Sequence, residues 1–134
     1  MILVTLGGAV GTGARYLLDS ALPSWAGLPV STIGINVLGA FLLGALLTRL
    51  RQAAAEGAPA VRLERLRLLV GTGLLGGFTT YSALSIDTAL LLASHPARAV
   101  GYALFTVLVG AGASVLGIWS ASPRAETGAD RGSE

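Results

Sequence analysis

The sequence predicts an all-α integral membrane protein with four transmembrane helices, the third of them broken near its centre. Three observations carry that prediction. Hydrophobic residues make up 53% of the 134 positions, and mean hydropathy is +0.73. Only 12% of residues are charged, against roughly 25% in a soluble domain, so a soluble enzyme or regulator lacks the polar exterior it needs. The charge is also segregated: positions 20–48, 68–86 and 99–123 hold none, and 1–18 hold only Arg15. Apolar runs of 18 or more residues suit helices that cross a hydrocarbon layer of about 30 Å at 1.5 Å per residue. The absence of Cys excludes a disulfide framework and a Cys-based metal site. A pI near 9.7 invites a nucleic-acid reading, but a net charge of +2, with Arg beside apolar segments, fits positive-inside topology better.

The first span covers about 2–18. No basic region precedes it and Arg15-Tyr16 stands where a small-residue cleavage site would be, so it reads as a span rather than a cleavable signal. A connection with Pro23, Trp25, Gly27 and Pro29 leads to the second span, about 30–50, with Trp25 suited to anchor the interface. Residues 51–66 read as a polar linker with a charged helical end, Arg62, Glu64, Arg65 and Arg67 following one another closely. The third span runs over about 68–93 and is interrupted by Gly76-Gly77, followed by Thr79-Thr80. Ser94-His95-Pro96 makes the next turn, and Pro96 suits the first turn of the fourth span, about 98–120, with Trp119 near its exit. Residues 1–120 form one membrane domain, and 121–134, rich in Gly, Ser and charge, form a polar tail expected to be disordered.

An even number of spans puts both termini on one side. That side collects Arg49, Arg51, Arg62, Arg65, Arg67, Arg124 and Arg131, and the opposite loops hold Arg98 alone. Seven against one, or five against one without the tail, predicts a multi-pass protein of the cell membrane with both termini in the cytoplasm.

Polar residues within the spans are the functional candidates, because they are costly in hydrocarbon. Gly7, Gly8, Gly11 and Gly13 suit close helix packing. Arg15 either snorkels to the interface or lends positive potential to an anion entrance. Thr32 and Asn36, at i and i+4, align three donors on one helix face; Asn36 either cross-links helices or serves a dehydrated anion. Gly71, Gly73 and Gly76 match G-x-G-x-x-G formally, but no strand precedes them and no Lys lies nearby, so a phosphate loop does not follow. A Gly pair followed by two Thr breaks the helix or kinks it with Thr back-bonding; a broken helix exposes carbonyls for a cation and N–H groups for an anion. Tyr102, Thr106, Gly110 and Ser114 step by four along one face, as a packing stripe or a hydroxyl row. Asp87 reads as interfacial, and His95, in its turn, as solvated.

Taken together these segments resemble the Fluc/CrcB fluoride channel family over about residues 1–120. The likeness rests on Gly7-Gly8-Ala9-Val10-Gly11-Thr12-Gly13-Ala14-Arg15-Tyr16, on 31–41 with Ser31, Thr32, Asn36, Gly39 and Phe41, and above all on Gly76-Gly77-Phe78-Thr79-Thr80-Tyr81-Ser82. The resemblance implies a passive, fluoride-selective channel that lowers cytoplasmic fluoride, built as an antiparallel dimer of small subunits with two pores. It implies a structural Na⁺, bound but not transported, held by backbone carbonyls at Gly76 and Thr79 and their counterparts in the partner. By the same resemblance Asn36 lines the pore, Arg15 lies near its entrance, and Thr32, Tyr102, Thr106 and Ser114 form a hydroxyl track, with Thr80, Tyr81 and Ser82 also on the fluoride path.

The chain departs from the family in one place. Two phenylalanines three residues apart follow the Thr pair in the family; here those positions are Tyr81 and Leu84. Tyr keeps an aromatic edge and Leu has none. The Arg asymmetry points the same way. An antiparallel homodimer needs a chain that inserts both ways, so a strongly biased chain is expected to pair with a homologous second subunit that supplies the missing phenylalanines. Two alternatives are a non-conducting structural subunit, favoured by Leu84, and a small four-span multidrug exporter, disfavoured because the first span has no central carboxylate. With one His in a turn and no paired carboxylates, the sequence offers no enzyme.

Overall fold

The computed structural model describes residues 1–21 and 29–123, and among these every regular element is helical. Trp25 and the tail from residue 124 lie outside the described residues. Helix α1 is Ile2–Ala21 and α2 is Val30–Ala55. Helix α3, Ala60–Leu66, runs on through a π-helix, Arg67–Leu75, into α4, Gly76–Phe78; α5 is Tyr81–Ser94 and α6 is Pro96–Ala121. Among the described residues three stretches are long and apolar enough to cross a bilayer: Val30–Ala55, Ala60–Ser94 and Pro96–Ala121.

The expected polar linker over 51–66 is mostly helix. Gln52 and the alanines at 53–55 are strong helix formers and carry α2 on. It stops at Gly57, whose φ of 85° is left-handed. There the N–H of Gly57 donates to Ala54 O at 3.1 Å and that of Ala58 to Ala53 O at 2.9 Å, a Schellman end. Pro59 then caps the start of α3. Pro96 occupies the first turn of α6, where its missing N–H is harmless.

The break in the third run is real but sits two residues later than the glycines suggest. Gly76 is helical, with φ −66° and ψ −35°. The chain leaves the helix at Thr79 (φ −74°, ψ 156°) and Thr80 (φ −146°, ψ 118°), an extended conformation that β-branched residues favour. The glycines serve packing instead: a Cβ on Gly77 would stand 2.5 Å from Gly8 O on α1.

Helix α1 lies parallel to the third run, with Gly7 against Leu69 and Gly73 and Gly11 against Leu74 and Phe78. Helices α2 and α6 are likewise parallel, with Phe41 beside Gly117, Gly44 beside Ser114 and Gln52 Nε2 donating to Ala121 O at 2.7 Å. At the other end Ser31 Oγ donates to Asp19 Oδ1 at 2.5 Å, tying the first turn of α2 to the last turn of α1. The start of α1, the end of α2, the start of α3 and the end of α6 therefore share one end of the molecule, with Arg49, Arg51, Arg62, Arg65 and Arg67. Arg98 and His95 lie at the opposite end. The outer shell is apolar, with Leu6, Val10, Leu90, Leu104, Leu108, Val115 and Trp119 all exposed, as suits a protein whose solvent is lipid.

Candidate functional site

Next to the helix break lies an open groove of about 390 Å³. Asn36, Gly39 and Leu43 of α2 form one wall, and Thr106, Val107 and Gly110 of α6 another; Gly76, Thr79, Thr80, Tyr81 and Leu84 come from the broken run. The groove exists because the chain between Phe78 and Tyr81 is extended and cannot fill the volume a continuous helix would. Gly39 lets the break approach α2, since its missing Cβ leaves the place taken by Thr79 Cγ2.

Asn36 is the brace of this site. Its Nδ2 donates to Thr80 O at 2.9 Å and its Oδ1 accepts from Thr80 N–H at 2.8 Å, so the amide pairs with both backbone groups of one residue. In an unbroken helix the Thr80 N–H would go to Gly76 O, four residues back. Asn36 takes that donor, and the Gly76 carbonyl is released from the ladder at the groove wall. Thr79 holds the other side of the break, its N–H and its Oγ1 both donating to Leu75 O at 2.9 Å. Thr80 restarts the chain: its Oγ1 accepts from Ala83 N–H at 3.1 Å as the N-cap of α5 and lies 3.2 Å from Ser82 Oγ.

The structure brings Asn36, Gly76, Thr79, Thr80, Tyr81, Leu84 and Thr106 to one groove. Thr106 Oγ1 donates to Tyr102 O at 2.8 Å, a bond that a hydroxyl can exchange for another acceptor by rotating. Tyr81 is 82% exposed and Leu84 is 8% exposed, so the tyrosine stands out from the groove while the leucine closes its inner side. Thr32, Ser82, Tyr102, Ser114 and Arg15 do not form its walls. Arg15 is half-buried, and its Nε has no hydrogen-bond partner among the described residues.

Thr32 and Tyr102 meet elsewhere. Thr32 Oγ1 donates to Asp87 Oδ2 at 2.9 Å, and the Tyr102 hydroxyl donates to the same oxygen at 3.2 Å. Asp87, which the sequence reads as interfacial, is thus also a bridge between helices. It lies in the middle of α5, about 10 Å along the axis from the C-terminal end, and is held by hydroxyls of α2 and α6. The available signal was its spacing: a lone carboxylate two turns from either end of an otherwise uncharged helix has to find donors on its neighbours. Gly39 and Gly110 were also unassigned, and only the fold could place them in the groove.

A family model described as "CrcB-like protein, Camphor Resistance (CrcB)" matches residues 2–118. The chain is 49% identical over 119 residues to "Fluoride-specific ion channel FluC 2" of Leifsonia xyli subsp. xyli, covering 88% of this chain and 80% of that one. It is 40% identical over 126 residues to "Fluoride-specific ion channel FluC" of Gloeobacter violaceus, covering 90% and 94%. It is 43% identical over 111 residues to "Fluoride-specific ion channel FluC 1" of Cutibacterium acnes, covering 81% and 76%.

Proposed function

The chain belongs to the CrcB-like family, and from that premise we propose that it is a subunit of a fluoride-selective channel, through which fluoride leaves the cytoplasm passively. The observation that carries the reading is the Thr79–Thr80 break, braced by Asn36 and opening on an uncharged groove in whose largely apolar lining Asn36, Thr79, Thr80, Tyr81 and Thr106 are the hydrogen-bonding side chains. Fluoride is small and strongly hydrated, so a path must offer several donors together as water is shed. The second Nδ2 proton of Asn36 is one, the first being given to Thr80 O. The hydroxyls of Thr106 and Thr80 are others. Neutral donors of this kind bind the ion without trapping it as a ring of fixed charges would.

In this reading α1 also crosses the membrane, its 20 residues spanning about 30 Å, so that the subunit has four spans and both termini in the cytoplasm. Two subunits pack antiparallel, each groove facing the other's break. A structural Na⁺ fits the residues at the break: the Gly76 carbonyl has lost its helical donor to Asn36, and with Thr79 O it offers the hard oxygen that the ion prefers. When bound, Na⁺ would supply one fixed positive charge at the break. Gly76 and Thr79 would hold it through their carbonyls, and Asn36, paired with Thr80, would brace the break beside them.

The partner is expected to be a homologous second chain rather than a copy. The five-to-one Arg asymmetry between the two ends supports this, as does Leu84 at a position where an aromatic edge would serve the ion. The numbered names of two relatives, FluC 1 and FluC 2, are consistent with cells that hold more than one such chain. Leu84 also favours a second reading, a subunit that does not itself conduct but orients a conducting partner. The test is fluoride efflux from liposomes holding the assembled channel, with chloride as the control ion. Asn36→Ala is expected to reduce efflux at least tenfold with the assembly intact; an unchanged rate would return Asn36 to a packing role.

A further inference from the structure

At the Arg-rich end of the molecule a second cavity, of about 440 Å³, opens between the first turn of α1 and the start of the third run. Its walls are apolar: Leu3 on one side, Val61, Leu66 and Leu69 on the other. Its rim carries Arg62 and Arg65, and no carboxylate lines it. The groove on the other face of α3 differs in that respect, because there Arg51 and Arg67 share the space with Glu64. The cavity between α1 and α3 is therefore an aliphatic channel bordered by the stems of Arg62 and Arg65, with no carboxylate in its lining.

We propose that this cavity is a binding site for one anionic phospholipid, whose phosphate lies between Arg62 and Arg65 and whose acyl chain runs down the Leu3, Leu66 and Leu69 wall. Three features argue for a lipid over other occupants. Both arginines are exposed side chains one turn apart on α3, so they face the same way and can hold one phosphate between them, a geometry that guanidinium groups favour. The apolar wall begins within a turn of the rim and continues toward the membrane-spanning part of the run, which matches an amphiphile and not a free ion. The surrounding end carries Arg49, Arg51 and Arg67 against Glu56 and Glu64, a positive field that draws acidic headgroups to the surface. The proposal does not depend on which ion the channel conducts.

The test is native mass spectrometry of the assembled channel released from mixed phosphatidylglycerol and phosphatidylcholine micelles, with thermal unfolding in the same mixtures. Wild type is expected to retain phosphatidylglycerol in at least fivefold preference over phosphatidylcholine and to unfold at higher temperature as its fraction rises. Arg62→Gln with Arg65→Gln is expected to abolish the preference, and Arg98→Gln, at the opposite end, to leave it intact. Val61→Glu, which sets a carboxylate in the cavity and removes neither arginine, is expected to reduce the preference as well. Equal retention of the two lipids by wild type, or undiminished phosphatidylglycerol retention in the Arg62/Arg65 double variant, would overturn the proposal. So would inorganic phosphate stabilising the protein as well as the lipid does, since the acyl wall would then have no part in binding.

Discussion

Without Asn36 the N–H and C=O of Thr80 would both face a low-dielectric groove with no helical partner, and an unpaired buried backbone group costs about 1–3 kcal/mol. Asn36→Ala is therefore expected to lower thermal stability in detergent as well as efflux. Asn36→Asp keeps an acceptor for the Thr80 N–H and removes the donor to Thr80 O, so it should fall between the two. At Asp87 two hydroxyls converge on one carboxylate oxygen, and donors to a shared charged acceptor do not contribute additively. A double-mutant cycle between Asp87→Asn and Tyr102→Phe is expected to give a coupling of about 1–2 kcal/mol, read from chemical or thermal unfolding. A coupling near zero would mean that the tyrosine hydroxyl is satisfied elsewhere. Single residues of this sort were only half legible in the sequence. The amide at Asn36 announced a polar function, but whether it served a ligand or the backbone depended on where the break fell, two residues beyond the glycines. The donors to Asp87, Thr32 and Tyr102, were not legible because they are 55 and 15 residues away in the chain.

Helices, by contrast, were readable almost whole. Charge-free runs gave their positions, and Pro96 gave the start of α6. The ends were missed where good helix formers extended them, as at Ala53 to Ala55, or where a π-helix wound Arg67–Leu75 more loosely than periodicity shows. The glycine-rich pattern in α1 and in the third run has a specific consequence at this scale. Where backbones touch, a methyl group has nowhere to go: a Cβ at Gly77 would stand 2.5 Å from Gly8 O, whereas one at Gly101 meets nothing within 4 Å. Gly77→Ala is expected to destabilise by about 1–3 kcal/mol through forced separation of α1 from α4. Gly101→Ala should be neutral or stabilise by up to about 1 kcal/mol, because alanine loses less conformational freedom in a helix. Thermal unfolding of the two variants side by side separates packing from propensity. Equal losses would mean that α1 and α4 are not in backbone contact.

For the molecule as a whole, the parallel pairing of α1 with the third run and of α2 with α6 gathers five arginines at one end and leaves Arg98, in the first turn of α6, at the other. By the positive-inside rule, a bias of that size is expected to fix a single orientation during insertion. The chain has no cysteine, so Ala60→Cys and Ala97→Cys each introduce one label site, both at exposed positions at opposite ends. An impermeant maleimide applied to intact cells is expected to label Cys at 97 and spare Cys at 60. The result bears directly on assembly. A chain locked in one orientation cannot form an antiparallel pair with itself, so liposomes holding it alone should pass little fluoride. Adding a homologous subunit of opposite Arg bias should then raise efflux by at least tenfold. Comparable labelling of both sites would mean that the chain inserts both ways, and full efflux from the chain alone would follow from a homodimer; either outcome removes the need for a second subunit.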